Sequence, residues 1–110
     1  MTYDDELANR VREVIQDEPG LTERKMFGGL AFLINGNMAV SASGQGGLLL
    51  RVDPASTASL VDEPDVRRFQ RRGREMAGWL RVDDTVVEKE KELRQWVRTG
   101  LTYARSLPPK

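Results

Sequence analysis

Apolar residues recur at helical spacing near both ends of the chain. The first stripe consists of Leu7, Val11, Val14 and Ile15. It predicts an amphipathic helix from about Tyr3 to Glu18. The second stripe consists of Leu93, Trp96, Val97, Gly100, Leu101, Ala104 and Leu107. It predicts a C-terminal helix that runs from about Glu88 to the prolines at positions 108 and 109.

The start and end of the first predicted helix carry local signals. Thr2 followed by Asp5 resembles a capping box, in which two side chains satisfy free backbone amides. Acidic residues at positions 4 to 6 suit the positive end of the helix dipole. Pro19-Gly20 is expected to end the helix.

Between the two helices, short apolar runs separated by turn signals predict five strands. The strands run from Leu30 to Ile34, Met38 to Ala42, Leu48 to Val52, Val66 to Gln70 and Met76 to Val82. Asn35-Gly36, residues 44–47 and residues 71–74 are the turn signals. Asp53-Pro54 predicts a short helix that ends before Pro64, because aspartate caps helices and proline favours their first position.

These elements predict an α+β fold with the order α-β-β-β-α-β-β-α. Hairpins this short force antiparallel pairing, so the strands should form one antiparallel sheet. Helices packed on that sheet give a two-layer architecture. The length of 110 residues fits one domain, so residues 1–110 are expected to form a single domain.

The strand pattern leaves apolar side chains on both faces of the predicted sheet. Where one face is covered, apolar and polar residues should alternate, but the run from Leu30 to Ile34 does not alternate. If Leu30 and Ile34 face the core, Ala31 and Leu33 form part of an outer face. In the last strand the same alternation places Trp79 on the outer face. Either a helix or chain terminus covers this face, or a second subunit does.

The residue inventory excludes several classes of site. The chain contains no cysteine and no histidine, which excludes disulfides, cysteine zinc sites and catalysis by thiolate or imidazole. Adjacent carboxylates such as Asp83-Asp84 point apart rather than at a common centre. We therefore expect no catalytic, cofactor or metal site, and no enzyme activity. With no apolar run long enough for a signal peptide or membrane span, we expect a cytoplasmic protein that does not bind membranes.

Two glycine-rich segments need an explanation. Residues 44–47 superficially resemble a phosphate-binding loop, but predicted strands flank them on both sides, which favours a hairpin turn. Gly28-Gly29 interrupts a strand-like pattern, where glycine usually marks a bulge or the close approach of another group. A bulge is the favoured interpretation, with a bound ligand as the alternative.

Arginines are concentrated in the hairpin formed by the last two predicted strands. They are Arg67, Arg68, Arg71, Arg72, Arg74 and Arg81. The candidate interaction surface comprises Arg67, Arg71, Arg72, Arg74, Trp79 and Arg81. Arginine binds carboxylates and phosphates, and aromatic rings offer stacking surfaces, so an acidic protein or a nucleic acid would suit this composition. The alternative is a solvated hairpin, neutralised by the acids at positions 83, 84, 88, 90 and 92.

Several motifs resemble the TfoX (Sxy) N-terminal domain family. The resemblance rests on the segment from Lys25 to Phe32, the Asn35-Gly36 turn, Gly73 before residues 76–79, and the ending from Trp96 to Lys110. Met26, Phe27, Gly28 and Gly29 form its most specific part, with a structural role. The resemblance implies a curved antiparallel sheet like that of type III secretion chaperones. It also implies an association with regulation, since the name-giving members regulate natural competence and are thought to act with the cyclic-AMP receptor protein at promoters.

Three functions remain open. The favoured hypothesis is a non-catalytic regulatory or protein-interaction module, which binds a protein partner or self-associates as a homodimer. The second is direct binding of nucleic acid through the arginine hairpin. It is not favoured, because 17 basic and 17 acidic residues leave the chain without net charge. The third is a small-molecule binder or enzyme with a pocket between sheet and helices.

Overall fold

A computed structural model describes residues 4–26 and 28–110, apart from the side chain of Arg71. The strands are β1 (Leu21–Met26), β2 (Gly29–Ile34), β3 (Asn37–Ala42), β4 (Leu48–Arg51), β5 (Val66–Arg71) and β6 (Arg74–Val82). The helices are α1 (Asp5–Ile15), α2 (Thr57–Leu60), α3 (Asp84–Val87) and α4 (Glu90–Ser106). A short 3₁₀ turn, Pro54–Ser56, leads into α2.

The six strands form one antiparallel sheet in the order β1-β2-β3-β4-β6-β5. The predicted α+β class and antiparallel sheet are thus confirmed. The predicted element order is incomplete, because it lacks β1 and α3. β1 contains the polar run Thr22–Lys25 and lies at an edge of the sheet, where burial imposes little alternation. Helix α3 begins at Asp84, and Asp83 is its N-cap residue.

Helix α1 begins one residue after Asp4, whose carboxylate accepts hydrogen bonds from the amides of Glu6 and Leu7 at 2.9 and 3.2 Å. Asp4 is therefore the N-cap, in place of the predicted capping box of Thr2 and Asp5. Thr2 itself lies outside the described residues. The helix ends at Ile15, three residues earlier than predicted.

The main hydrophobic core lies between one face of the sheet and helices α1 and α4. Leu30, Phe32 and Ile34 of β2 contribute to it, as the alternation predicted. The α4 stripe supplies Leu93, Val97, Leu101 and Ala104 from the opposite side. The helices therefore form a second layer over the sheet. No helix in the described ranges has the length and apolar character needed to cross a bilayer.

The opposite face of the sheet carries a second apolar cluster. It consists of Ala31, Leu33, Met38 and Leu49, with Met26, Phe69 and Trp79 packed against it. All six strands contribute to this cluster, and none of its described members lies in a helix. Ala31 is fully buried and Leu33 is 6% exposed within the single chain. Packing among strand side chains thus shields the predicted outer face.

The predicted Asn35-Gly36 turn is confirmed, and it contacts the C-terminal segment. Both turn residues have positive φ, 52° and 86°, as a two-residue hairpin turn with matching twist requires. The carbonyl of Asn35 accepts a hydrogen bond from the amide of Lys110 at 2.8 Å. The side-chain amide of Asn37 donates to the carbonyl of Pro108 at 2.9 Å. The segment after α4 is thereby held against the β2–β3 hairpin.

Candidate binding site: the arginine groove

The β5–β6 hairpin closes through a tight turn at Arg72-Gly73. Both residues have positive φ, 55° and 78°, and Arg71 pairs with Arg74 across the turn. The turn predicted at residues 71–74 is therefore confirmed. The strands extend further than predicted, since β5 reaches Arg71 and β6 begins at Arg74.

Strand β6 bulges in the middle of the hairpin. Arg68 pairs with Leu80, and the next regular pair is Gln70 with Glu75, so β6 advances five positions while β5 advances two. Gly78 lies in this extra segment with φ 84°. A hydrogen bond from its amide to the Thr57 hydroxyl, 3.0 Å long, ties the bulge to α2. The bulge thus separates the base of the hairpin from its tip.

At the base of the hairpin, two arginines lie directly opposite each other. Arg67 of β5 pairs with Arg81 of β6, and cross-strand partners project from the same face of a sheet. The Arg81 guanidinium donates to the Ser43 hydroxyl at 3.1 Å, the Gln45 side-chain oxygen at 3.1 Å and the Gly46 carbonyl at 3.0 Å. The glycine-rich turn, confirmed as a hairpin turn, thus holds one arginine in place.

The expected neutralising acids do not pair with this hairpin. Among the described side chains, no ion pair within 4 Å involves a hairpin arginine. Glu90, one of the expected acids, instead pairs with Arg10 and Arg94. Arg67 donates to the Pro64 carbonyl at 2.9 Å. The hairpin arginines therefore form no direct ion pair among the described side chains, although Asp83 and Asp84 act electrostatically on Arg81 over a longer distance.

Burial and like charge both act on Arg81. Partial desolvation lowers the pKa of its guanidinium, and the nearby positive charge of Arg67 lowers the pKa further. The negative charges of Asp83 and Asp84 act in the opposite direction and raise the pKa of Arg81. Two cations held close together, with no carboxylate within 4 Å among the described side chains, favour an anionic group nearby.

A groove of about 530 Å³ opens beside these arginines. Its lining residues are Gln45, Val61, Glu63, Arg67, Arg68, Phe69, Gln70, Arg72, Glu75 and Arg81. We call it the arginine groove. Four arginines and two glutamates leave its lining with an excess of positive charge. The ring of Phe69 gives it an apolar patch.

The structure brings together only part of the predicted interaction surface. Arg67, Arg72 and Arg81 line the groove, whereas Arg74 and Trp79 do not. The side chain of Arg71 lies outside the described part. Arg68 lines the groove although the candidate set omitted it. Arg68 belongs to the arginine cluster identified in the sequence, and strand alternation places it on the face opposite Arg67.

Trp79 has a packing role instead. It lies against the second apolar cluster, and the guanidinium of Arg51 stands 5.5 Å from the centre of its ring. The same guanidinium is 5.8 Å from the ring of Tyr103 on α4. Arg51 therefore makes cation–π contacts with a strand residue and a helix residue at once.

The glycine-containing motif also has a structural explanation. Gly28 lies in the turn between β1 and β2 with φ 76°, which corrects the expected bulge inside a strand. Gly29 begins β2, and a Cβ atom there would stand 2.3 Å from the carbonyl oxygen of Ala42. Met26 packs against the second apolar cluster. Phe27 lies outside the described residues.

Carboxylates do not gather into a further site. Within residues 4–26 and 28–110, no three acidic side chains lie together in a way that could hold a metal ion. The pKa of Asp83 is lowered, chiefly by a hydrogen bond from the Thr85 hydroxyl. The pKa of Glu23 is lowered by its hydrogen-bonded pairing with Arg12, which connects β1 to α1. The positive charge of Arg67 lowers the pKa of Asp83 further.

Comparison with known proteins gives one informative result. No functionally curated protein is significantly similar to the chain. The family described as the TfoX N-terminal domain matches residues 13–104. This range includes β1 to β6, α2, α3 and nearly all of α4, together with the whole arginine groove. Because the match spans most of the 110 residues, the chain belongs to the TfoX N-terminal domain family.

Proposed function

We propose that this protein is a non-catalytic interaction module of regulatory type, which binds an acidic segment of a partner protein in the arginine groove. One observation carries the proposal: Arg67 and Arg81 lie directly opposite each other, and among the described side chains no carboxylate lies within 4 Å of either guanidinium. Like charges directly opposite each other destabilise a strand pair. A bound carboxylate would relieve that repulsion.

The composition of the groove favours a peptide as the ligand. Phe69 offers apolar contact, and Gln45 and Gln70 offer amide groups that can hydrogen-bond to a peptide. The regulatory association implied by the family resemblance agrees with a binding role, and the family is not known as a catalytic one.

A binding assay with a matched pair of variants tests the proposal. The probe is a fluorescently labelled hexaglutamate peptide, and the readout is its anisotropy at low salt. Arg72→Glu reverses a charge that lines the groove, whereas Arg74→Glu reverses one on the same hairpin outside it. We expect Arg72→Glu to weaken binding about tenfold, corresponding to about 1.4 kcal/mol, and Arg74→Glu to weaken it less than about twofold. Equal effects of the two reversals, or no peptide binding, would contradict the proposal.

The same assay separates a peptide ligand from a nucleic acid. Labelled single-stranded and duplex DNA serve as competing probes across a salt series. We expect little DNA binding, because the chain has no net charge. If DNA bound with a steep salt dependence and hexaglutamate did not bind, the groove would be a nucleic-acid site.

A further inference from the structure

Strand β5 is an edge of the sheet and lines the arginine groove. It has β6 on one side, and on the other side no strand of the described residues pairs with it. Side chains from both of its faces line the groove: Arg67 and Phe69 from one, Arg68 and Gln70 from the other. The groove therefore runs along the edge of β5 rather than over a single face of the sheet.

The hydrogen bonds at the start of β5 fix the direction of its backbone groups. Asp65 accepts from the amide of Asp83, on the β6 side of the strand. Val66 exchanges both of its backbone bonds with Asp62, at 2.8 and 2.9 Å, on the opposite side. Along an antiparallel strand, successive residues direct their backbone groups to alternate sides. The backbone amide and carbonyl of Arg67 therefore point toward β6, and those of Arg68 point away from it.

The tip of the hairpin gives the same alternation independently. Arg71 and Arg74 close a two-residue turn, so the backbone groups of Arg71 face β6. The backbone groups of Gln70 must then point away from β6, which agrees with the alternation that starts at Val66. Within the described part of the chain, no bond to the backbone amides or carbonyls of Arg68 and Gln70 is found on the open side. The edge thus presents two amides and two carbonyls to an incoming strand.

The chain already extends this edge by one residue. Asp62 forms an antiparallel bridge with Val66, and the chain before it turns into α2, which ends at Leu60. Val61 and Glu63, which flank Asp62 in the chain, line the same groove. The open stretch of edge therefore begins after the bridge at Val66, with the outward backbone groups of Arg68.

Charge decides what kind of strand fits. A second copy of the chain pairing edge to edge through β5 would place arginines opposite arginines, since a two-fold contact repeats the same surface. β1, the other edge, carries Arg24 and Lys25, with Glu23 already paired to Arg12. Neither edge complements β5. A segment rich in glutamate or aspartate does, because its successive side chains would reach Arg67 on one face and Arg68 on the other.

We propose that an acidic segment of a partner protein binds by adding an antiparallel or parallel strand to β5, through backbone hydrogen bonds to Arg68 and Gln70. This inference rests on the proposed function and specifies its binding mode. Backbone pairing supplies affinity in such strand addition, and the side chains supply selectivity. Here the selectivity is for negative charge.

Amide hydrogen exchange, followed by NMR with and without hexaglutamate, tests the inference directly. The amides of Arg68 and Gln70 should exchange at least about tenfold more slowly when the peptide is bound, because they gain hydrogen bonds. The amide of Val66 serves as an internal control, since it already bonds to Asp62. Peptide binding without slower exchange at Arg68 and Gln70 would show that strand addition is wrong.

A pair of variants at Gln70 gives a second test that leaves the charge unchanged. Gln70→Pro removes the outward amide, which an edge strand tolerates, while Gln70→Ala removes only the side chain. We expect Gln70→Pro to bind hexaglutamate about fivefold more weakly than Gln70→Ala, the effect of losing one hydrogen bond. Circular dichroism of both variants checks that they fold.

The outcomes separate the two proposals. If hexaglutamate binds, and Arg72→Glu weakens that binding, but Gln70→Pro and Gln70→Ala bind equally, the acidic-partner function stands and strand addition is overturned. If hexaglutamate does not bind at all, both proposals fail. If exchange slows at Arg68 and Gln70 and Gln70→Pro is the weaker binder, both are supported.

Discussion

At the scale of single residues, Gly28 and Gly29 are both required, but for different physical reasons. Gly28 has φ 76°, where side chains are strained, yet a Cβ atom there would meet nothing within 4 Å. Gly29 has no positive φ, and its constraint is space, because a Cβ atom would press on the Ala42 carbonyl. The sequence indicated a special backbone at this pair. The sequence does not show that Gly28 is constrained by backbone strain and Gly29 by crowding. The crowding at Gly29 comes from Ala42, which is thirteen residues further along the chain.

Alanine substitutions should separate these two constraints. We expect Gly28→Ala to lower the free energy of unfolding by about 1 kcal/mol, the cost of a left-handed alanine. Gly29→Ala should lower it by about 3 kcal/mol, because a backbone carbonyl must move. Urea denaturation measures both values. Gly28→Asn is the control and should cost less than Gly28→Ala, as asparagine tolerates this conformation. A larger loss for Gly28→Ala than for Gly29→Ala would contradict this account.

At the scale of elements, α4 lies unusually close to the sheet at Gly100. A Cβ atom at this position would stand 2.5 Å from the Ala39 carbonyl oxygen and 2.7 Å from a methyl group of Leu50. The glycine therefore lets the helix backbone approach β3 and β4. The sequence placed Gly100 on the apolar stripe of the helix, and that position follows from periodicity alone.

This close approach should reverse the usual effect of glycine replacement in a helix. Alanine normally stabilises a helix interior by about 1 kcal/mol relative to glycine. We expect Gly100→Ala instead to destabilise the protein by about 2 kcal/mol, because α4 must move off the sheet. Gln95→Ala, at an exposed position of the same helix, should change stability by less than about 0.5 kcal/mol. Thermal and urea denaturation measure both. A stabilised Gly100→Ala variant would show that α4 can shift freely.

The sequence predicted the buried elements far better than the edges and the site. The α4 stripe and the turn at Asn35-Gly36 follow from local periodicity and turn chemistry. β1 was missed, because an exposed edge strand needs no apolar alternation. The grouping of Arg68 with Arg81 was also beyond prediction, since it depends on the edge position of β5 and on a bulge that α2 holds.

At the scale of the whole molecule, little apolar surface remains uncovered. The second apolar cluster is buried within one chain. In the described part, Met76 is the only large apolar residue that is exposed, with 36% of its surface accessible to solvent. The hypothesis that a second subunit covers this face assumes that its apolar residues are exposed. They are buried within a single chain, so no second subunit is needed to shield them. The arginines on the edge of β5 also disfavour pairing between two copies of the chain.

We therefore expect a monomer in solution. Light scattering coupled to size exclusion should give a mass near 12.4 kDa at micromolar concentration. Measurement at low and at high salt is the control, because salt would screen repulsion between arginine edges. A mass of twice this value at low salt would mean that some other surface pairs the chains.

The two apolar clusters also divide the tryptophans between the faces of the sheet. Trp96 packs against the main core under the helices, while Trp79 packs against the second cluster together with Phe69, which lines the groove. The two tryptophans thus lie in separate environments. With Trp96 replaced by phenylalanine, the remaining tryptophan emission, excited selectively, would come from Trp79, so occupation of the groove has an optical reporter that needs no added dye.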